Sequence, residues 1–260
     1  MTARLVGVVH LPPLPGSPTA WSMDRVLAQV DGDMRALAAA GFGEVILENF
    51  GDAPFFAERV PPVTVAAMTA CLLTARAAAA SVALGVNVLR NDAEAALSIA
   101  ATTGATFIRV NVHTGARVTD QGVVQGRAAE TLRLRKSLDA THVAIWADVD
   151  VKHSAPLGVR PLEDEAHDLA SRGMVDALLV TGAGTGKATD VEKVRRVKGA
   201  SSLPVLVASG ATVETLGKLL AVADGIIVGS DIKIDGRAGG PVDRERAARF
   251  AEAFRKAGRG

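Results

Sequence analysis

The chain has 260 residues, 48% of them hydrophobic, and its 29 Lys and Arg against 28 Asp and Glu give a formal net charge of +1. That balance excludes the basic footprint of a nucleic-acid partner, and no run approaches the roughly 18 apolar residues of a transmembrane segment. A single cysteine in an apolar helical pattern, Cys71, and a start without a signal-peptide pattern predict a cytoplasmic protein.

Eight apolar, β-branched runs are predicted to be strands, and segments of helical pattern separate them. The predicted strands cover residues 5–10, 44–49, 81–89, 107–113, 142–152, 177–181, 204–209 and 225–230. Residues that favour helix ends mark the intervening helices. Helix starts are predicted near Ser22 or Asp24, Pro62, Asp92, Glu163, Thr212 and Pro241, and helix ends at Gly41, Gly104 and Gly173.

Eight strand–helix units in this length average about 32 residues each, which is typical of a (β/α)₈ barrel. The sequence therefore predicts an α/β protein with a single TIM-barrel domain over residues 1–260. The alternative is a doubly wound open sheet, which would place a Gly-x-Gly-x-x-Gly turn after the first strand. The sequence has His10-Leu-Pro-Pro-Leu-Pro-Gly16 there instead.

Polar residues end nearly every predicted strand, and active sites of this fold lie at the carboxyl ends of the strands. In the fourth strand, Arg109, Asn111 and His113 are predicted to share one face, and in the fifth Asp148, Asp150 and Lys152 do so. The other candidate site residues at strand ends are His10, Glu48, Asn49, Asn87, Arg90, His153, Thr181, Ser209 and Ser230.

The last two strands are each followed by a turn of small residues that predicts a phosphate site. Barrels often bind substrate phosphate in these two loops, through backbone N–H groups and a helix N-terminus. The candidate phosphate-binding residues are Ser209, Gly210, Gly229 and Ser230. The alternative is that these glycines only make tight turns.

The segment Thr181-Gly-Ala-Gly-Thr-Gly-Lys187 resembles a nucleotide-binding loop but lacks the required residues. A P-loop needs Gly at position 181 and Ser or Thr at 188, where this chain has Thr181 and Ala188. We expect a glycine-rich loop that closes over a ligand or adds backbone donors to the phosphate site.

Asp148 is the predicted general base, or a ligand with Glu48 of a divalent cation, Mg²⁺ or Mn²⁺. A structural Asp–Lys–Arg network is the alternative. Lys152 is predicted to bind phosphate or carboxylate, and desolvation would instead let it form a Schiff base. His10 is a candidate acid–base group or metal ligand. Residues 120–122 form a lid or only a turn.

Several segments, taken in order, resemble the BtpA/SgcQ family over nearly the whole chain. They are Gly7–Gly16, Glu48–Phe55, Gly85–Asn91, Arg109–Asn111, Thr119–Gly122, Ala147-Asp148, Val151–Ser154, Val228–Ser230, Lys233, Asp235-Gly236 and Pro241–Asp243. The chain departs from the family at Gly239-Gly240, where an Asn is expected before the proline. Position 150 varies in the family, which ranks Asp150 below Asp148 and Lys152.

The resemblance implies a TIM-barrel-like fold more firmly than a chemistry. One member is associated with photosystem I biogenesis in cyanobacteria, and another is encoded among sugar-uptake and sugar-phosphate genes. The family-based alternative to an enzyme is therefore a non-catalytic assembly factor that uses the barrel as a scaffold. A flavin cofactor is disfavoured, and a homo-oligomer stays open.

Together, the residues and the resemblance predict an isomerase, epimerase or aldol-type lyase for a phosphorylated small molecule such as a sugar phosphate. Asp148 would move a proton, and Lys152 or His10 would polarise a carbonyl. The remaining predicted site residues would position the substrate: Glu48, Asn49, Asn87, Arg90, Arg109, Asn111 and His153.

Overall fold

The computed structural model describes residues 3–182 and 189–258 and contains a closed barrel of eight parallel strands. In chain order the barrel strands are β1 (Arg4–His10), β2 (Glu44–Glu48), β3 (Ala83–Asn87), β4 (Phe107–Val110), β7 (Ala144–Val149), β9 (Ala177–Val180), β10 (Val205–Val207) and β11 (Gly225–Val228). Each strand pairs with the next barrel strand along the chain, and β11 closes the barrel against β1. This arrangement confirms the predicted TIM barrel.

Helices follow the barrel strands and cover the outside of the barrel. They are α1 (Met23–Ala40), α2 (Pro62–Ala78), α3 (Ala93–Thr103), α4 (Ala128–Ser137), α5 (Leu162–Ser171), α6 (Val191–Ala200), α7 (Leu216–Leu220) and α8 (Arg244–Ala257). Gly41 and Gly104 end α1 and α3 in the left-handed conformation, with φ of 90° and 73°. The predicted helix start at Thr212 is wrong, because α7 begins four residues later, at Leu216.

Large side chains fill the interior of the barrel at its amino end. The rings of Phe107 and Trp146 stack with centroids 3.8 Å apart, and both residues are buried. A Cβ at Gly85 would lie 2.1 Å from Phe107 Cε2, so the neighbouring strand needs glycine to admit the ring. The polar residues of the strand ends therefore lie above a packed apolar floor.

Seven barrel strands end before their predicted last residue, and for β4 and β7 this changes where the polar residues lie. β4 ends at Val110 and β7 at Val149, although the alternation of valine with polar residues continues beyond both. Asp150 then adopts a left-handed φ of 54°. Asn111, His113 and Lys152 therefore lie beyond the strands, where period-two alternation does not apply. Asn111 still lies on the same side as Arg109, since both donate to Asp148, whereas His113 contacts Gly173 instead.

The loops after β4 and β7 build a small antiparallel sheet that the sequence did not predict. Its strands are β5 (Ala116–Thr119), β6 (Gly122–Gln125) and β8 (Ser154–Pro156), in the order β6-β5-β8. Residues 120–122 include the turn between β5 and β6, as one of the two interpretations expected. Both loops start at carboxyl ends of barrel strands, so the small sheet lies on the same end of the barrel as the predicted site.

Among the described residues, no helix combines the length and apolar character needed to cross a bilayer.

Candidate active site

One cavity, of about 150 Å³, joins the two small-residue turns to the charged strand ends. We call it the cradle cavity. The predicted site residues that line it are His10, Glu48, Arg109, Lys152, Ser209, Gly210, Gly229 and Ser230. The structure therefore brings all four candidate phosphate-binding residues to one place, and phosphate binding there stays a prediction.

A second cavity, of about 410 Å³, continues from the first, and we call it the outer cavity. It shares Glu48, Arg109 and Lys152 with the cradle cavity. Its other lining residues are Phe50, Ala53, Phe55, Leu89, Arg90, Asn111, Asp120 and His153. The central atoms of a ligand that occupied both cavities would therefore lie beside these three residues.

Asp148 has no accessible side-chain surface, and both of its carboxylate oxygens are engaged. Arg109 donates to it through Nε and Nη2 at 3.0 and 2.9 Å, and Asn111 donates through Nδ2 at 2.7 Å. Burial lowers the pKa of Arg109, yet Asp148 and Glu48 together raise it above its ordinary value. The geometry thus disagrees with a general-base role for Asp148, since its carboxylate is closed off by the groups it orients.

Glu48 keeps a carboxylate oxygen that is not committed to a short bond. Its Oε2 accepts from Asn87 Nδ2 at 2.6 Å and lies 3.8 Å from Arg109 Nη1. Burial pushes the pKa of Glu48 upward, but Arg109, Lys152 and the Asn87 hydrogen bond outweigh it and hold the pKa below its usual value. Asn87 therefore supports Glu48 and does not line either cavity, in contrast to the predicted substrate contact.

His10 is held as a neutral imidazole. The backbone N–H of Gly239 donates to Nδ1 at 3.3 Å, which leaves the ring proton on Nε2, 3.6 Å from Glu48 Oε1. Burial lowers the pKa of His10 to about 3, against the opposing effect of Glu48. A Cβ on Gly229 would come within 3.0 Å of His10 Cε1, so the cradle turn needs glycine to pass the ring.

Lys152 presents an ammonium that has no partner among the described residues. Its backbone is fixed at both ends, since the N–H donates to Thr181 Oγ1 at 3.2 Å and the carbonyl accepts from Arg90 Nη2 at 2.8 Å. The Nζ atom makes no hydrogen bond or ion pair within the described ranges. Burial lowers the pKa of Lys152, and Arg109 adds to that effect while Glu48 and Asp148 oppose it.

The loop that carries Gly239 to His10 is anchored in the protein interior. Lys233 is fully buried and lies 3.7 Å from Asp33 Oδ2 on α1. The same carboxylate accepts from the backbone N–H of Val242 through Oδ1 at 2.7 Å. This anchor fixes the segment after β11 and, through it, the orientation of the His10 ring.

Asn49, predicted to bind substrate, lies outside both cavities. Its Oδ1 accepts from the backbone N–H of Leu89 at 2.7 Å, and its Nδ2 donates to Asp52 Oδ2 at 3.1 Å. The side chain is buried, and its hydrogen bonds join the loop after β2 to the end of β3. These bonds indicate that Asn49 positions the loops that form the walls of the site.

Asp150 and His113 also point away from the two cavities. Asp150 Oδ2 accepts from Lys193 Nζ at 2.7 Å, and its Oδ1 accepts from Arg117. His113 is buried, with Nε2 2.9 Å from the carbonyl oxygen of Gly173. The family resemblance ranks Asp150 below Asp148 and Lys152, and Asp150 lines neither the cradle cavity nor the outer cavity.

The donor set does not fit the divalent cation that the sequence suggested. Glu48 and Asp148 both face the guanidinium of Arg109, which already supplies a positive charge to the two carboxylates. In the described ranges, no group of three or more His, Cys, Asp and Glu side chains is placed to hold a metal ion. The glycine-rich segment 183–188, proposed as a closing loop, lies outside the described residues.

Sequence reasoning missed the apolar walls of the outer cavity and the partner of His10. Phe50, Phe55 and Leu89 line that cavity, and the Phe50 ring centroid lies 4.5 Å from that of His10. Phe50 and Phe55 stand in the segment after β2 that carried the family resemblance, which was the available signal. Gly239 lies at the point where the chain departs from the family pattern, so nothing in the sequence indicated its contact.

Comparison with known proteins gives matches over almost the whole chain. The family model described as the BtpA family matches residues 1–256. A Synechocystis protein named photosystem I biogenesis protein BtpA is 43% identical over 254 residues, covering 96% of this chain and 87% of its own length. An uncharacterised protein of Thermococcus kodakarensis is 44% identical over 249 residues, covering 95% of this chain and 94% of its own.

Solved structures with low sequence identity share the fold. Thiamine phosphate pyrophosphorylase from Pyrococcus furiosus has a TM-score of 0.61 at 13% identity, covering 98% of this chain and 96% of that one. N-(5'-phosphoribosyl)anthranilate isomerase from the same organism has a TM-score of 0.56 at 15% identity, covering 97% and 99%. At these identities the likeness establishes the TIM-barrel fold and no activity.

Proposed function

The chain belongs to the BtpA family, and from that membership and the geometry of the barrel mouth we propose an enzyme that acts on a phosphorylated carbonyl compound through Lys152. Two of the solved TIM-barrel structures that share the fold have names that include a phosphorylated compound. By analogy, they support a phosphorylated substrate for this chain. One observation carries the proposal. Lys152 lines both the cradle cavity and the outer cavity, its pKa is lowered, and its amine has no hydrogen-bond or ion-pair partner in the described part of the chain.

The lowered pKa of Lys152 increases the fraction of the side chain that is present as the neutral amine, which is the nucleophilic form. That amine would attack the substrate carbonyl carbon, and the carbonyl oxygen would leave as water to give an iminium. That step takes up one proton, which solvent would supply, and the Nε2–H of His10 would donate a hydrogen bond to the departing oxygen, since Nδ1 is occupied by Gly239. The iminium is an electron sink for the next step.

Glu48 would take the proton in that step, because its Oε1 is its less committed oxygen and its lowered pKa keeps it ionised. In an aldol cleavage it would remove the proton of a hydroxyl two carbons from the iminium. The carbon–carbon bond would break, and its electron pair would form an enamine with Lys152. Protonation of the enamine and hydrolysis by water would then restore the amine.

The reaction classes retained from the sequence share this first step. An iminium also acidifies the neighbouring C–H bond, so an isomerase or epimerase would use Lys152 and Glu48 in the same places. Because both carboxylate oxygens of Asp148 are bound by Arg109, we assign the proton transfer to Glu48 and not to Asp148. Asp148 would instead hold Arg109, which lines both cavities.

A thermal-shift screen tests the phosphate half of the proposal. We expect phosphorylated aldehydes and ketones to raise the unfolding temperature more than their dephosphorylated counterparts do. Ser230→Asp places a negative charge in the cradle cavity and should abolish that difference, whereas the matched control Ser230→Ala should retain it. Equal shifts with phosphorylated and dephosphorylated compounds would contradict the proposal.

The name of the Synechocystis relative supports a second candidate function, a non-catalytic assembly factor. Under that function, Lys152→Met should rescue a deletion strain as well as the natural protein does. Under the enzymatic function, the same variant should fold and fail to rescue. The comparison is informative because Lys152 makes no side-chain bond in the described structure whose loss would unfold the barrel.

A further inference from the structure

Arg90 is a buried cation that has no counter-ion within residues 3–182 and 189–258. Only 6% of the residue is exposed, and Nη2 donates to the backbone carbonyl oxygen of Lys152 at 2.8 Å. Its Nε is buried and has no hydrogen-bond partner in the described part of the chain. Among the described residues, no carboxylate forms an ion pair with its guanidinium, although Arg90 lines the outer cavity.

Arg109, another buried cation of the mouth, has the carboxylate partners that Arg90 lacks among the described residues. Arg109 receives a two-point ion pair from Asp148 and lies 3.8 Å from Glu48. Burial lowers the pKa of Arg90, and the more distant carboxylates of Asp148 and Asp120 oppose that effect without contacting it. A buried guanidinium in this state is the arrangement expected where a ligand supplies the anion.

The shape of the free guanidinium indicates which anion fits. With Lys152 protonated or present as an iminium, three cations (Arg90, Arg109 and Lys152) are matched by three carboxylates (Glu48, Asp148 and Asp120), so the mouth carries no excess charge. Among the described residues, however, no carboxylate contacts Arg90, and a planar guanidinium pairs well with the two oxygens of a carboxylate. The turns that suit a phosphate lie in the other cavity, at Ser209 and Ser230.

We propose that Arg90 binds a carboxylate of the substrate, so that the substrate carries an anion at each end of the mouth. This inference rests on the proposed function and specifies its substrate class. Because Arg90 and Lys152 line the outer cavity together, the carboxylate would lie in the same cavity as the carbonyl that Lys152 attacks. The substrate is therefore a phosphorylated 2-oxo acid or a close relative, with its phosphate in the cradle cavity.

Two matched pairs of stable compounds test this assignment by equilibrium binding. The first pair is 3-phosphoglycerate against glycerol 3-phosphate, and the second is 6-phosphogluconate against glucitol 6-phosphate. Within a pair the compounds differ by a carboxylate, and the two pairs differ in length. We expect the acid to bind about tenfold more tightly in at least one pair.

Arg90→Met should make the two Kd values of that pair agree within about twofold while the phosphorylated alcohol still binds, since the variant removes the guanidinium that would bind the carboxylate and leaves the cradle cavity unchanged. Arg117→Met is the control, because Arg117 pairs with Asp150 and Glu165 outside both cavities and its loss should leave the preference intact. Arg90→Lys provides a second, charge-conserving variant, which should retain part of the preference.

The outcomes separate this inference from the proposed function. If the phosphorylated alcohols bind and neither acid is preferred, or if the preference survives in Arg90→Met, the carboxylate assignment is overturned and the phosphate site stands. If no compound of either pair binds, the phosphate site fails and the assignment fails with it. Circular dichroism of Arg90→Met should match that of the natural chain, since no ion pair is lost.

Discussion

Asp148 and Asp150 stand two residues apart in one valine-alternating segment, yet they belong to ion networks of opposite kinds. Asp148 lies in the barrel mouth, where it holds Arg109. Asp150 lies outside the mouth, where it accepts from Arg117 and Lys193. The left-handed backbone at Asp150 directs the second carboxylate away from the first.

The two networks differ in whether their cations are satisfied. In the outer network, Arg117 pairs with both Asp150 and Glu165, and Lys193 pairs with Asp150. In the mouth, Lys152 and Arg90 have no carboxylate partner among the described residues. An ion network in which every cation is paired stabilises the fold. A network that leaves cations without a carboxylate partner is instead expected where a ligand supplies the anion.

Replacing one lysine from each network, Lys152 or Lys193, should give the largest difference in activity between the networks. Lys152→Met should lower kcat on the phosphorylated carbonyl substrate by about 10³-fold or more, because the nucleophile is lost. Lys193→Met should leave kcat within about twofold, since it loses only a half-exposed ion pair. Steady-state kinetics on both variants makes the comparison. Equal losses of kcat would show that Lys152 has no special role.

The two aspartates should differ in their effect on stability. Asp148→Asn leaves Arg109 buried without its two-point ion pair and should lower the free energy of unfolding by about 3–5 kcal/mol. Asp150→Asn breaks a partly exposed pair and should cost about 0–1 kcal/mol. Urea unfolding monitored by circular dichroism measures both values. Similar costs for the two variants would remove the distinction between the networks.

The buried histidine of the mouth should make stability depend on pH. The folded state keeps His10 neutral down to a pKa of about 3, whereas the unfolded chain takes up the proton near its ordinary pKa of 6.5. Stability should therefore fall as pH drops from 6.5 towards 3, by at most about 1.4 kcal/mol per pH unit. His10→Gln should flatten that slope in urea unfolding between pH 7.5 and 5.

His113 provides the matched group outside the mouth. Burial also lowers its pKa, with the carbonyl of Gly173 opposing, so His113→Gln should flatten the slope in the same direction. The double variant should be flatter than either single one. An unchanged slope in His10→Gln would mean that His10 is not neutral in the folded mouth.

The contact between the cradle turn and His10 should give the smallest effect. Gly229→Ala would bring a Cβ to 3.0 Å from His10 Cε1, so the turn or the ring must shift by a few tenths of an ångström. We expect inorganic phosphate to bind several-fold more weakly in this variant. Gly199→Ala in α6 meets no neighbouring atom and should leave phosphate affinity unchanged. Isothermal titration calorimetry compares them.

The barrel and its site-bearing end could be predicted from the sequence, because strand–helix alternation and terminal polar residues are local patterns. The convergence of the Ser209 and Ser230 turns with His10 and Lys152 followed from barrel geometry. The structural network at Asp148, one of the two alternatives for this residue, contains Arg109 but not Lys152. The further bond from Asn111 could not be predicted, since it depends on the path of the loop after β4.

The divergence of Asp150 depends on one backbone torsion angle that valine alternation does not encode. Likewise, the contact of Gly239 with His10 joins residues 229 positions apart in the chain. Period-two reasoning placed the right side chains near the mouth and assigned several of them the wrong neighbours. Within the described part of the chain, Arg90 and Lys152 have no carboxylate partner. This depends on which residues surround them in the fold, so the sequence alone could not predict it.

Reaction with pyridoxal 5′-phosphate tests most directly whether Lys152 is a reactive amine beside a phosphate site. This probe carries an aldehyde and a phosphate, and borohydride makes its lysine adduct permanent for peptide mass spectrometry. We predict modification of Lys152 ahead of the exposed lysines at neutral pH, slowed by inorganic phosphate and by Ser230→Asp. Labelling spread over exposed lysines, with Lys152 unmodified and no protection by phosphate, would contradict the account.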